Sequence, residues 1–378
     1  MIFRGNVVSG DVCGFGSVTV DGDRIASVSV SGDIKADADW VLPGFIDPHM
    51  HGLGKWGCNT AEVHQVAEYA PQTGVTTFAP TFDTFDTAST VAFARRVKEL
   101  ISSPRGKSAK IAGSHLEGPF LDMEHRGGMA PEWVRNPDLD EARQFIEAAD
   151  GTLKIMTLAP ELPKAGELIA MLKKAGSAVS AGHCAMTAAE LPAFIAAGGD
   201  AMCHLYDAYD GREVFWGVSQ PALTDAVLIE DSLLLELILD GVHVPETLVK
   251  MTIRAAGYKR IVGITDAMQG AGMPDAEYYS VDGRKYTLTN GDVCRDAEDP
   301  RLIVGSCLTM NRLFYNLCNK FGFSPVEAAA MSSGNAARYL RIADKTGVLK
   351  DGFFADIVIL GSDQLTVKQT ICEGKELL

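Results

Sequence analysis

Eight short apolar runs, each followed by a more polar stretch, constrain this chain of 378 residues more than any other feature. The runs span 41–48, 75–80, 110–115, 153–159, 178–182, 201–204, 234–242 and 260–265, and helical patterning follows in stretches such as 60–72, 88–101 and 138–149. Strands rich in Val, Ile and small residues are buried on both faces, which requires a parallel sheet covered by helices. Eight such units predict an α/β fold of the (β/α)8 barrel type. An open doubly wound sheet is the alternative, but no glycine-rich turn follows an early strand. The two ends read differently, as short strands and turns such as Val18-Thr19-Val20 and Lys350-Asp351-Gly352. They predict one small β-sandwich domain assembled from residues 1–42 and 344–378 around a barrel of 43–343.

The ends of the eight runs carry the chemistry. The first closes on His49-Met50-His51, the third on His115-Leu116-Glu117, the fifth on His183, the sixth on His204, the seventh on His243 and the eighth on Asp266. Only eight histidines exist, and His64 and His125 alone lie away from such ends. Active sites of this barrel gather at the C-terminal ends of its strands. Six unrelated core histidines is the bland alternative, and their shared position argues against it. In His49-x-His51 the period of two points both imidazoles to one face. His183, His204, Glu117 and Asp266 add nitrogen and carboxylate donors, a mixture that suits zinc, iron, manganese or cobalt better than magnesium or calcium. One or two such ions would yield a hydroxide nucleophile at neutral pH and polarise a scissile carbonyl. Asp266 is placed to take a proton from the attacking water and deliver it to a leaving amine.

Composition narrows the partners. A net charge of −15 argues against nucleic acid or an anionic membrane surface. The start of the chain lacks a basic region followed by an apolar run, and the most apolar stretch, 232–244, is too short to span a bilayer. Eight cysteines without CxxC spacing read as reduced core thiols of a cytoplasmic protein. Cys184 and Cys203 adjoin His183 and His204, so strand alternation predicts that their thiols face away from the ligand cluster.

At these residues the sequence resembles the N-acetylglucosamine-6-phosphate deacetylases of the amidohydrolase superfamily. The matching segments include Pro43-Gly44-Phe45-Ile46-Asp47, His115-Leu116-Glu117-Gly118-Pro119-Phe120, Ser180-Ala181-Gly182-His183, His204-Leu205-Tyr206, Asp240-Gly241-Val242-His243-Val244, Thr265-Asp266-Ala267 and Gly305-Ser306-Cys307-Leu308-Thr309-Met310. The resemblance implies an enzyme of amino sugar metabolism that removes acetyl from an N-acetylated amino sugar. It implies Glu117, His183 and His204 as ligands of the principal metal, His49 and His51 as those of a second, and Asp266 as acid/base. It also implies a homodimer, and Met129, Asp207, Ala208, Arg212 and His243 as the wall facing the substrate.

Three of those positions depart from the family. Met129 stands where members carry a carbonyl-polarising histidine, and a thioether donates no hydrogen bond. Asp207 replaces an asparagine beside the phosphate, where a carboxylate would repel by about 4 kcal/mol per unit charge at about 4 Å and an effective dielectric near 20. The loop before Arg212 is short, so this phosphate-binding arginine is equally expected to pair with Asp207 or Asp210. Alternatives are therefore the same hydrolysis on an unphosphorylated or cationic N-acyl substrate, or a barrel without catalysis.

Overall fold

The computed structural model describes residues 1–59, 61–279, 283–289 and 293–378. Eight parallel strands follow one another around the main sheet: Phe45–Met50, Val75–Phe82, Ser114–Glu117, Leu153–Leu158, Ala178–Ala181, Ala201–Met202, Leu234–Ile238 and Ile261–Ile264. Strand pairing between the last and the first is replaced by a bridge from Met50 to Ala267 and by the Asp266 N–H, which donates to the His49 carbonyl at 2.9 Å. The sheet is thereby closed into a barrel at its C-terminal rim.

Apolar residues fill one end of the barrel and polar ones the other. Ile46, Ala79, Ile155, Ala178, Ala201 and Val262 pack against Ala336, Ala337 and Tyr339 of the helix Asn335–Tyr339. Further along the same strands stand the buried Asp47, His49, His115, Thr157 and Glu236. The outer helices are amphipathic: Thr87–Ser102 buries Phe93, Ala94 and Val97 and is capped by Asp86, which accepts from the Ser89 N–H at 2.9 Å. Such a cap is worth about 1 kcal/mol against alanine. Leu139–Ala149 repeats the device, with Asp138 accepting from Asp140 and Glu141. The expected helix over 60–72 is shorter, Val63–Tyr69 with a 3-10 turn behind it, and Thr60 lies outside the described residues.

Both termini meet in one seven-stranded, mostly antiparallel sheet drawn from residues 2–43 and 357–376. It curls so that Arg24 bridges Phe354, enclosing Val18, Ile25, Val41, Ile357 and Ile371. The first apolar run, expected as one strand over 41–48, is two strands in two sheets. Trp40–Pro43 pairs with Ile357–Leu360 in the small sheet, whereas Phe45–Met50 enters the barrel. Gly44 lies at the break, where a Cβ would stand 2.3 Å from the Thr76 side chain. The seventh strand stops at Ile238, so His243 is a loop residue rather than a strand end; Gly241 turns the chain with φ +81°. A four-stranded antiparallel sheet over 277–306 was not expected from the sequence. No helix among the described residues is long and apolar enough to cross a membrane.

Candidate active site

Six ligand-type side chains converge at the polar end. His49 Nε2 lies 3.2 Å from His51 Nε2, and His183 Nε2 lies 3.1 Å from His204 Nε2. Glu117 stands between the pairs. Its Oε1 is 2.9 Å from His204, 3.3 Å from His183 and 3.5 Å from His49, and its Oε2 is 3.1 Å from His51. Asp266 Oδ1 closes the group at 3.1 Å from His51 and 3.4 Å from His49. All six residues are buried.

Local backbone geometry explains part of this convergence. His183, His204 and Asp266 each follow a strand end and have φ of +50°, +21° and +47°. Left-handed conformations are costly for residues with a Cβ and persist where the surroundings enforce them, often at active sites. The kink at His204 also overturns the expectation for Cys203. Strand alternation is broken there, and the Cys203 Sγ lies 3.7 Å from both His49 Nδ1 and Glu117 Oε1, facing the cluster instead of turning away. Cys184 is buried in the apolar core. All eight cysteines are free.

Charge in the cluster is strongly coupled. Burial alone would lower the His49 pKa, but Glu117, Glu236 and Asp266 raise it to about 10. Burial likewise opposes, and Glu117 overrides, at His204, which rises to about 9. Against the cost of burial, His49, His183 and His204 hold Glu117 well below the ordinary carboxylate range. Asp266 is also lowered despite its burial, by His51 and His49. Protons are thus drawn to a centre of convergent lone pairs and carboxylates, which is the demand that a divalent cation satisfies. His115 behaves differently: burial and then the charge on His49 push it down to about 3, and its ring bonds to Thr157 and the Pro48 carbonyl. It is a neutral wedge beneath the site.

Behind the ligands stand two carboxylates that the sequence reading missed. Glu236 Oε2 is 3.0 Å from His49 Nδ1, and Asp83 Oδ1 is 2.5 Å from His51 Nδ1. The signal for Glu236 was present, as the one charge within the apolar segment Leu233-Leu234-Leu235-Glu236-Leu237-Ile238-Leu239. Asp83 was hidden because the second strand runs past Pro80 to Phe82.

The cavity over the cluster is lined by His51, Glu117, His183, His204 and Asp266, and on its outer wall by Met129, Asp207, Arg284 and Tyr286. Ala208, Arg212 and His243 are not among its lining residues. Arg212 is exposed and makes a two-pronged pair with Asp225 at 2.7 and 2.6 Å, not the expected pair with Asp207 or Asp210. Asp210 instead meets His125 Nε2 at 3.1 Å. His243 is held through Nδ1 by Asp240 at 2.5 Å; burial lowers its pKa, but Asp240 outweighs this and raises it.

A profile of the amidohydrolase family matches residues 40–377. An N-acetylglucosamine-6-phosphate deacetylase of Bacillus subtilis (strain 168) is 31% identical, over 97% of this chain and 94% of its own. An N-acetylgalactosamine-6-phosphate deacetylase of Escherichia coli O157:H7 is 32% identical, over 90% of this chain and 88% of its own. Among solved structures, a D267A variant of the Mycobacterium smegmatis N-acetyl-D-glucosamine-6-phosphate deacetylase, in complex with N-acetyl-D-glucosamine-6-phosphate, is similar with a TM-score of 0.90 and 27% identity over 100% of this chain and 99% of that one. The chain belongs to the amidohydrolase family, in its N-acetylglucosamine-6-phosphate deacetylase branch, and is a hydrolase of amide bonds.

Proposed function

We propose that the protein removes the acetyl group from an N-acetylated amino sugar, N-acetylglucosamine 6-phosphate in the first instance. The observation that carries this reading is the convergence of four imidazole Nε2 atoms on one bridging glutamate beside a buried aspartate. One or two divalent ions, zinc, iron, manganese or cobalt, fit this donor set of nitrogens and carboxylates. When bound, such an ion supplies an activated water and polarises the acyl oxygen.

The chain's own residues do the rest. His49, His51, Glu117, His183 and His204 hold their donor atoms toward one point. Asp266, kept ionised by its histidine neighbours, accepts a proton as the C–O bond forms and returns it to the nitrogen as the C–N bond breaks. Met129 and Asp207 form the wall along which the sugar lies. The family pattern alone would add Ala208, Arg212 and His243 to substrate contact, and none of the three lines the cavity.

A second reading keeps this chemistry but changes the substrate to an unphosphorylated or cationic N-acyl compound. It is favoured by Asp207 in the cavity wall and by the engagement of Arg212 with Asp225. A panel of N-acetylhexosamines with and without 6-phosphate, together with cationic N-acyl compounds, assayed on protein of known metal content, separates the two. Faster turnover of the phosphorylated sugars supports the first; equal or slower turnover supports the second; no turnover of any N-acyl compound removes both.

We also place the enzyme in the cytoplasm as a homodimer. Its free thiols suit a reducing compartment. Val214, Phe215, Trp216 and Val218, all exposed on one hairpin, are an apolar surface that a second copy would bury. Light scattering in solution tests the assembly.

A further inference from the structure

The two histidine pairs are backed unequally. In the first, a carboxylate lies behind each ring: Glu236 hydrogen-bonds His49 Nδ1 at 3.0 Å, and Asp83 Oδ1 makes an ion-pair contact with His51 Nδ1 at 2.5 Å, outside hydrogen-bond geometry. Glu236 is fully buried, where a carboxylate is tolerated only when paired. In the second pair, His183 Nδ1 meets only the His125 carbonyl, at 2.8 Å, and the buried His204 Nδ1 has no hydrogen-bond partner. Asp266 Oδ1 adds a further negative oxygen beside the Nε2 atoms of His49 and His51.

Resting on the reading above, and against the order of principal and second metal that the family resemblance implies, we propose that Glu236 and Asp83 are positioning residues that make the His49/His51 half of the centre the tighter divalent-cation site, filled before the His183/His204 half. An anion at Nδ1 fixes the tautomer with its lone pair at Nε2, locks the ring's orientation and makes that lone pair more basic; a carbonyl does this less, and an unbonded nitrogen not at all. Net charge points the same way. The first half is in direct contact with Glu117, Asp266, Glu236 and Asp83, whereas the second touches Glu117 alone, with Asp207 and Asp266 acting on His204 from farther off. His49 Nδ1, Cys203 and Glu236 could be taken for a cation site of their own. The 3.0 Å contact between His49 and Glu236 is instead a hydrogen-bond length, with Cys203 farther off at 3.7 Å.

Stepwise zinc affinity decides the matter, measured by competition with a chromophoric chelator and checked by elemental analysis. Wild type, Glu236→Gln, Asp83→Asn and His204→Asn are compared, with thermal melts to verify folding. Wild type is expected to take up two equivalents. Glu236→Gln should weaken the tighter one about 10- to 100-fold, Asp83→Asn should weaken the same one less, and His204→Asn should remove the looser one. Asp83 lines the open cavity, so its variant keeps the test decisive even where Glu236→Gln folds poorly. The proposal is overturned when both carboxylate variants leave the tighter equivalent unchanged, or when His204→Asn removes that equivalent. A chain that binds zinc and deacetylates yet ignores both carboxylate substitutions loses only this inference. A chain that binds no divalent ion loses the proposed function as well.

Discussion

The ligand cluster and the wall facing it are built from different material. His49, Glu117, His183, His204 and Asp266 sit on or within two residues of barrel strand ends, whereas Met129, Asp207 and Arg212 belong to connections between elements. Strand ends are fixed by the hydrogen-bonded sheet beneath them, and loops can lengthen, shorten or change residue without disturbing it. The cluster carries the residue types that the family resemblance implies, while the wall departs from that implied pattern at Met129 and Asp207, and Arg212 sits in a salt bridge outside the cavity. Under the proposed function, reaction chemistry and substrate choice are separable layers.

Four measurements press on that separation. Asp266→Asn should lower kcat about 100- to 10,000-fold, the usual range for a positioned acid/base, with bound metal per chain little changed. Near-normal turnover in the loaded variant would remove the proton-transfer role. Asp207→Asn alters the wall alone and should raise kcat/KM for a 6-phosphorylated substrate about tenfold, equivalent to about 1.4 kcal/mol, without a matching gain on the unphosphorylated sugar. Equal gains on both would show that charge repulsion is not what Asp207 contributes.

The third measurement concerns the cluster as a charge trap. In the metal-free protein His49 and His204 are raised to about 10 and about 9, so between pH 6.5 and 9 the folded state binds more protons than the unfolded one. Stability from these groups is complete below about pH 6.5 and is lost as pH rises through their folded values. Thermal melts of chelated protein should therefore fall by several degrees from pH 6.5 to 9, and metal-loaded protein should show a smaller fall. His115, lowered to about 3, acts in the opposite sense on the acid side, where stability declines as pH drops below about 6.5. A chelated protein whose melting point is flat across the alkaline window would contradict this coupling. The smallest effect is expected at Arg212→Ala, under about threefold in kcat/KM, because an exposed ion pair contributes little. A hundredfold loss confined to phosphorylated substrates would instead bring Arg212 into the wall.

Much of the barrel was legible because its strands are apolar on both faces and its ligands stand at their ends. His-x-His was legible because a strand has a period of two. The same rule failed at Cys203, where His204 leaves the strand through a left-handed turn that no local pattern announces. Gly44 concealed a change of sheet, since a continuous apolar run can serve two neighbouring strands equally well. Glu236 and Asp83 escaped notice for another reason: their partners are His49 and His51, distant in sequence; pairing of the first two strands brings Asp83 behind His51, and closure of the barrel brings Glu236 behind His49. The partner of Arg212 was likewise a matter of loop path, which composition does not encode.

Closure itself has a consequence for how the chain matures. Asp47 accepts from Thr265 across 218 residues of sequence, and the Asp266 N–H donates to the His49 carbonyl at the same seam. During synthesis the N-terminal histidines emerge long before the residues that complete their surroundings. A nascent chain therefore carries His49-x-His51 without Asp266, and without the seam that sets its geometry. Under the proposed function, high-affinity metal capture would be a late event, reserved for a finished barrel, and the ion would report successful folding rather than nucleate it.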